Sequence, residues 1–271
     1  MRGKMLRPLL SLIGAEIAKT QRDLVIATSL EMLHIGTLIH DDVIDESKLR
    51  RGKESIQSKY SKEYAIYLGD YLFSSLFVYL SGTGIDKSEL VGLAKLMQQI
   101  CLAEMKQWHH RYNTDQSVRE YLRIISGKTA ALFSLALGSA AKEPPLKQKL
   151  QRIGYHLGMA FQIQDDLLDF EGDEALVGKE LQKDLLIGNY NLPILFALEE
   201  EPERMRRLLS TQTDLSSEIR QLVMESAAYD RTRQLLNRYF DKIDQAIVSL
   251  PGNQGRQDLQ ELIGVLRSRA Y

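Results

Sequence analysis

A chain of 271 residues, 44% hydrophobic and 26% charged, can bury one large core or two small ones and has the make-up of an ordinary globular protein. A formal net charge of −1 gives no bulk attraction for nucleic acid, and a single cysteine excludes an intramolecular disulfide framework and fits a reducing compartment. No apolar run approaches the ~18 residues of a membrane span, and the N-terminus lacks a signal-peptide pattern, which together predict a cytoplasmic protein.

Helical periodicity dominates the chain. Leu9, Leu12, Ile13 and Ile17 mark a first stripe behind a charged start. Residues 24–44 form a longer helix that is apolar nearly all round, which places it at the centre of a bundle. Further helices are predicted over residues 64–80, 90–108, 118–141, 150–170, 191–198, 219–250 and 259–266. Cys101, inside one of these apolar runs, is expected to be buried. The breaks are short turns such as Gly82-Thr-Gly84, Pro144-Pro145 and Glu201-Pro202. No alternating β-branched run lies between turn residues, so no sheet is expected. The fold expected is all-α: a single-domain bundle, over residues 1–271, of about ten or more antiparallel helices.

Two segments repeat one chemical pattern 124 residues apart: Leu38-Ile-His-Asp-Asp-Val-Ile-Asp45 and Gln162-Ile-Gln-Asp-Asp-Leu-Leu-Asp169. Residues i and i+4 share a helix face, so Asp41 projects with Asp45 and Asp165 with Asp169, Asp42 and Asp166 lying beside them. Taken alone, one such triad is as often a solvated helix face as a site. Two copies in apolar helices are another matter, because crowded carboxylates in apolar surroundings need a compensating cation. Hard oxygen ligands with room for water suit Mg²⁺ bound jointly with phosphate. Neither triad has the central glycine of a Ca²⁺ loop, and a glycosidase would need two acids rather than six.

A polyanionic ligand also needs cations of its own. Lys4 and Arg7 precede Pro8, Arg50 and Arg51 follow the first triad, Lys128-Thr129 opens an apolar helix, and Lys179 follows the second triad. Each alone reads as a solvated cation; only placement near the triads raises it.

The ordered set Gly3-Lys4-Met5-Leu6-Arg7-Pro8, His34, Asp41-Asp42-x-x-Asp45, Arg50-Arg51-Gly52, Gly127-Lys128-Thr129, Phe161-Gln162-x-x-Asp165-Asp166-x-x-Asp169 and Gly178-Lys179 resembles the trans-isoprenyl (polyprenyl) diphosphate synthases. The likeness runs to about Pro193 and is strongest to the large catalytic subunits of hexaprenyl and heptaprenyl synthases. It implies the isoprenoid synthase fold, a bundle around a central prenyl cavity, and condensation of isopentenyl diphosphate with an allylic diphosphate. By that resemblance Lys4, Arg7, His34 and Arg51 hold isopentenyl diphosphate. Arg50, Lys128 and Lys179 hold the allylic diphosphate, with about three Mg²⁺ ions bridging it to the six aspartates. Thr129 and Gln162 lie beside the reacting carbon. The partner implied is a second copy or a small regulatory subunit.

Departures from the family pattern are local. Arg2 and Met5 replace a usual glycine and arginine, while Lys4 and Arg7 are kept, and Gly188-Asn189 replaces a Gly-Lys. The motif begins at residue 2, so the usual N-terminal helices are expected to be missing. Gly36 and Thr37, five and four residues before Asp41, stand where short-chain members carry aromatic rings. Small residues there predict an open tunnel and a medium or long product, about C30 to C40. His40 is read as a partner orienting Asp41, His109 and His110 as a helix end, and His156 as structural. A terpene cyclase would share the acidic helices but would not need Lys4, Arg7 and Arg51 for a second diphosphate.

Overall fold

The computed structural model describes residues 5–20, 24–50, 52–171, 184–211 and 216–268. Lys4, Arg51 and Lys179 lie outside these, as do Gly3 and Gly178. Among the described residues the architecture is helix upon helix. The N-terminal half holds α1 (Leu6–Ala18), α2 (Leu24–Ile44), a single turn α3 (Ile56–Lys59), α4 (Lys62–Ser81), α5 (Lys87–His109) and α6 (Val118–Ile125). A π-helical turn, Ser126–Ala130, joins α6 to α7 (Ala131–Gly138). Then follow α8 (Pro144–Leu168), α9 (Leu192–Glu200), α10 (Pro202–Leu209), α11 (Ser216–Glu225), α12 (Ala228–Ile247) and α13 (Gln254–Arg267).

Local chemistry fixes the starts of these helices. Asp86 caps α5 by accepting from the Ser88 N–H, and Ser117 with Glu120 forms a reciprocal capping box at α6. Pro144 and Pro193 occupy first-turn positions of α8 and α9, where a missing N–H costs nothing.

Four expectations change. Leu49–Arg50 and Lys53–Glu54 pair as a two-residue antiparallel ribbon, turned by Gly52 at φ 73°; it is too short to leave an alternating pattern. The stretch 219–250 is two helices, α11 and α12, parted at Ser226 and Ala227. Glu201-Pro202 is the expected turn, but the helix that Pro202 opens, α10, was not expected. Cys101 is exposed, because it lies on a face of α5 that no described part of the chain covers.

One hydrophobic cluster runs through the bundle, with Leu10, Leu30, Phe133, Leu150, Ile153 and Leu259 among its most buried members. Two close approaches align the site. On α8, a Cβ at Gly158 would stand 2.6 Å from Ala130 Cα, so a glycine there lets the π turn lie directly on α8. Between α2 and α4 the fit is reciprocal: the Phe73 ring fills the space beside Gly36, and the His40 ring fills that beside Gly69.

Candidate active site

The aspartates end α2 and α8. A helix C-terminus already carries partial negative charge, so three acids there are electrostatically unfavourable until cations approach. The structure brings the two ends together. Asp45, just past α2, and Asp165, Asp166 and Asp169 at the end of α8 line one cavity of about 220 Å³, with Lys128, Gln162, Tyr121, Asp184 and the segment 188–191. A second, larger cavity of about 760 Å³ is lined by Asp41 and Ile44 of α2, by Asp45 and Lys128, and by Leu102, Met105 and Trp108 of α5. Asp45, Gln107 and Lys128 border both.

Each carboxylate has its own environment. Burial pushes the Asp41 carboxyl up to about 6, against the pull of Lys128. Burial likewise lifts Asp166 to about 7, although Tyr121, Gln162 and the Leu192 N–H all donate to its carboxylate. Asp169 is lifted to about 8 by burial first and then by Asp166 and Asp184; Asn191 donates to it at 3.1 Å. Asp42, also expected to hold metal, has different surroundings. It is 4% exposed, borders neither cavity, and accepts from Arg50 Nε at 2.8 Å and from Nη2 as well. Its side chain turns toward the loop after α2, and Arg50, expected to grip diphosphate, is anchored there.

Lys128 sits in the π turn, a distortion common at functional sites. Its Nζ donates to Glu104 at 2.9 Å and to Gln107 at 3.1 Å. Burial alone would lower its pKa, but Asp41, Glu104 and Asp45 outweigh that and raise it, so the ammonium stays charged. The next residue, Thr129, donates to Gln162 Oε1 at 3.0 Å, and Gln162 passes a hydrogen bond on to Asp166 at 3.3 Å. Gly154, Gly158, Gln162 and Asp166 follow at i+4 along one face of α8, so the same close packing that seats the π turn brings Thr129 to Gln162.

The remaining expected residues lie farther out. Arg7 is half-buried, with its guanidinium 5.4 Å from the centre of the Phe133 ring. His34 lies a further two turns down α2 from Asp41, and its carbonyl accepts from the Thr37 hydroxyl at 2.8 Å. Thr37 is half-buried one turn before Asp41. Gly36 does not leave a vacant channel: a Cβ there would meet Phe73 Cε1 at 2.6 Å. His40 turns to α4, with Nε2 3.2 Å from the Ile66 carbonyl and 3.4 Å from Asp70. His110 closes α5, and His156 is buried between the Tyr155 and Tyr239 rings.

Among the described residues no three Asp, Glu, His or Cys side chains stand close enough to hold an ion unaided. The donor set is nevertheless hard carboxylate oxygen throughout, which suits Mg²⁺ with non-protein oxygens completing its sphere. The protein supplies part of such a site and its ligand would supply the rest.

The model of the family described as Polyprenyl synthetase matches residues 1–226. The chain belongs to that family. Its members are prenyltransferases. Component 2 of the heptaprenyl diphosphate synthase of Geobacillus stearothermophilus is 37% identical over 99% of this chain and 87% of its own length. The geranylgeranyl pyrophosphate synthase of Lactobacillus brevis superposes with a TM-score of 0.91 at 33% identity, covering 99% of this chain and 87% of that one. A polyprenyl synthase from Caulobacter crescentus, solved with calcium and isoprenyl diphosphate, gives 0.90 at 32% identity, with 99% and 86% covered. The all-α fold of this polyprenyl synthetase family member agrees with the helical periodicity, and no described helix is long and apolar enough to cross a membrane.

Sequence reasoning missed Glu104, Gln107, Arg111, Tyr121 and Asn191. All meet their partners across 21 to 66 residues of chain, where no local spacing fixes the partner. Only Glu104 and Gln107, polar residues three apart on one helix face, carried a readable signal.

Proposed function

We propose that this chain condenses isopentenyl diphosphate with an allylic diphosphate, giving a medium- or long-chain polyprenyl diphosphate and free diphosphate. The observation that carries this reading is the shared border of the two cavities. An acidic chamber walled by both aspartate clusters meets an apolar one at Asp45, Gln107 and Lys128. A diphosphate headgroup fits the first chamber and a hydrocarbon tail the second. The Caulobacter relative, which binds calcium and isoprenyl diphosphate, supports the same ligand class here.

Mg²⁺, when bound with the diphosphate, supplies charge neutralisation as the carbon–oxygen bond of the allylic substrate breaks. Asp41, Asp45, Asp165, Asp166 and Asp169 would hold it, about three ions in all. Lys128 adds a fixed positive charge to the leaving diphosphate. Glu104 and Gln107 keep that ammonium from swinging out of place. Thr129 and Gln162 present oxygen dipoles where an allylic cation forms, and dipoles stabilise the cation without capturing it. The double bond of isopentenyl diphosphate then attacks, and a proton leaves the new C–C bonded product, with the departed diphosphate as the base. Lys4, Arg7, His34 and Arg51 are assigned to the isopentenyl headgroup, and Lys179 to the allylic one. Thr37 is assigned to length control, within the range of about C30 to C40 expected from a small residue beneath the aspartates. The acting form is a homodimer or a pair with a small regulatory subunit, a reading supported by the "component 2" in the name of the Geobacillus relative.

Incubation with radiolabelled isopentenyl diphosphate and allylic primers of several lengths tests this directly. Elongated prenyl diphosphates are expected with Mg²⁺ and none without it. Hydrocarbon release from an allylic diphosphate alone would instead indicate a cyclase.

A further inference from the structure

Arg111 belongs to no motif, yet it touches the first aspartate cluster. It lies just past α5, where His110 closes the helix. Its Nη2 donates to Asp45 Oδ1 at 2.9 Å, and only 18% of its side chain is exposed. Its Nε is buried and has no hydrogen-bond partner among the described residues. The side chain borders the larger cavity together with Asp41, Asp45 and Lys128.

A buried N–H of a charged group left without an acceptor is costly, so the Arg111 guanidinium is only partly satisfied by the described residues. The guanidinium carries five N–H groups in a rigid fork, so one edge can hold a carboxylate while another reaches a second oxygen. Asp45 keeps its Oδ2 for other ligands when Oδ1 accepts from Arg111.

We propose that Arg111 is a diphosphate-binding residue that positions Asp45 with one edge of its guanidinium and offers the remaining N–H groups to a diphosphate oxygen. This rests on reading the smaller cavity as the allylic diphosphate site, whose border at Asp45 and Lys128 is shared with the cavity that Arg111 lines. Arg111 then ties anion capture to the first aspartate cluster, so that metal and diphosphate bind cooperatively there. A lysine has the charge for either contact but not the fork for both.

Calorimetric titration of inorganic pyrophosphate in Mg²⁺ tests the assignment without turnover. Trp108, the chain's sole tryptophan, lines the same cavity and gives a second, fluorescent readout. The dissociation constant is expected to rise about tenfold or more in Arg111→Gln, the range of a lost charge-assisted contact. Arg111→Lys keeps the charge beside Asp45 but loses the second edge, and a smaller rise of about threefold to tenfold is expected. Absence of Mg²⁺-dependent pyrophosphate binding by the unaltered protein would refute the reading of the site itself. Normal binding there, together with an unchanged constant in Arg111→Gln, overturns the role of Arg111 alone. Should Arg111→Gln fail to fold, an Arg111→Lys protein that binds pyrophosphate as the unaltered one does would overturn it as well.

Discussion

Gly36 and Thr37 are neighbours with opposite surroundings, and substitution should tell them apart. A phenylalanine at 36 must displace the Phe73 ring, an overpacking that costs about 1–3 kcal/mol. Gly36→Phe is therefore expected to lower the melting temperature, whatever it does to the product. Thr37 shares a face with Asp41, and Thr37→Phe is expected to shorten the product by one or more C5 units at nearly unchanged stability. Chain-length analysis beside a thermal melt checks both; an unaltered product from Thr37→Phe removes Thr37 from length control. The aspartates were legible at this scale because acids four apart in an apolar helix are costly unless a cation offsets them. Asp42 shows the limit of that reading. Spacing puts it beside Asp41, but only the fold shows Arg50 bending back to claim it.

At the scale of elements, α2 and α8 each place acids at a negative helix end inside low-dielectric surroundings. Their carboxyls near 6, 7 and 8 lie above the unfolded carboxylate range because burial disfavours the charge. The folded chain then binds more protons than the unfolded one from about pH 4 to pH 8. These groups favour folding fully at low pH, and that contribution is lost as pH rises through the three values. Without Mg²⁺, the melting temperature is expected to fall between about pH 6 and pH 8.5, net of other titrations. Addition of Mg²⁺ and pyrophosphate at pH 7 should release protons, since the ligating carboxylates must be ionised. Calorimetry in buffers of different ionisation enthalpy measures that release, and a buffer-independent heat would contradict it. Element type was readable from period alone. The π turn was not, since hydrogen-bond geometry rather than residue pattern sets Ser126–Ala130 apart.

For the whole molecule, the telling surface is the uncovered face of α4 and α5. Tyr67, Tyr71 and Val78 on α4, and Met105 and Trp108 on α5, are each more than 60% exposed. Exposed apolar stripes of this kind are what an association surface requires. The run around Cys101 read as core for the same reason: apolar period reports that a face is covered, not what covers it. Leu102, Met105 and Trp108 also wall the larger cavity, so a subunit seated there would close it. Light scattering is expected to show an assembly larger than one chain, or one formed with a small partner. Met105→Asp should reduce both that assembly and the length of the product. A protein monomeric throughout, with a product unaffected by Met105→Asp, would contradict this.

The border of Asp45, Gln107 and Lys128 between the two chambers gives the molecule a fixed origin for measurement. Under the proposed function, a chain laid across that border would be clamped at its head and free at its tail. Each added unit would push the oldest carbons outward along the greasy wall. Growth would then work as a ruler with its zero at the acids, ending where the advancing tail meets an obstacle.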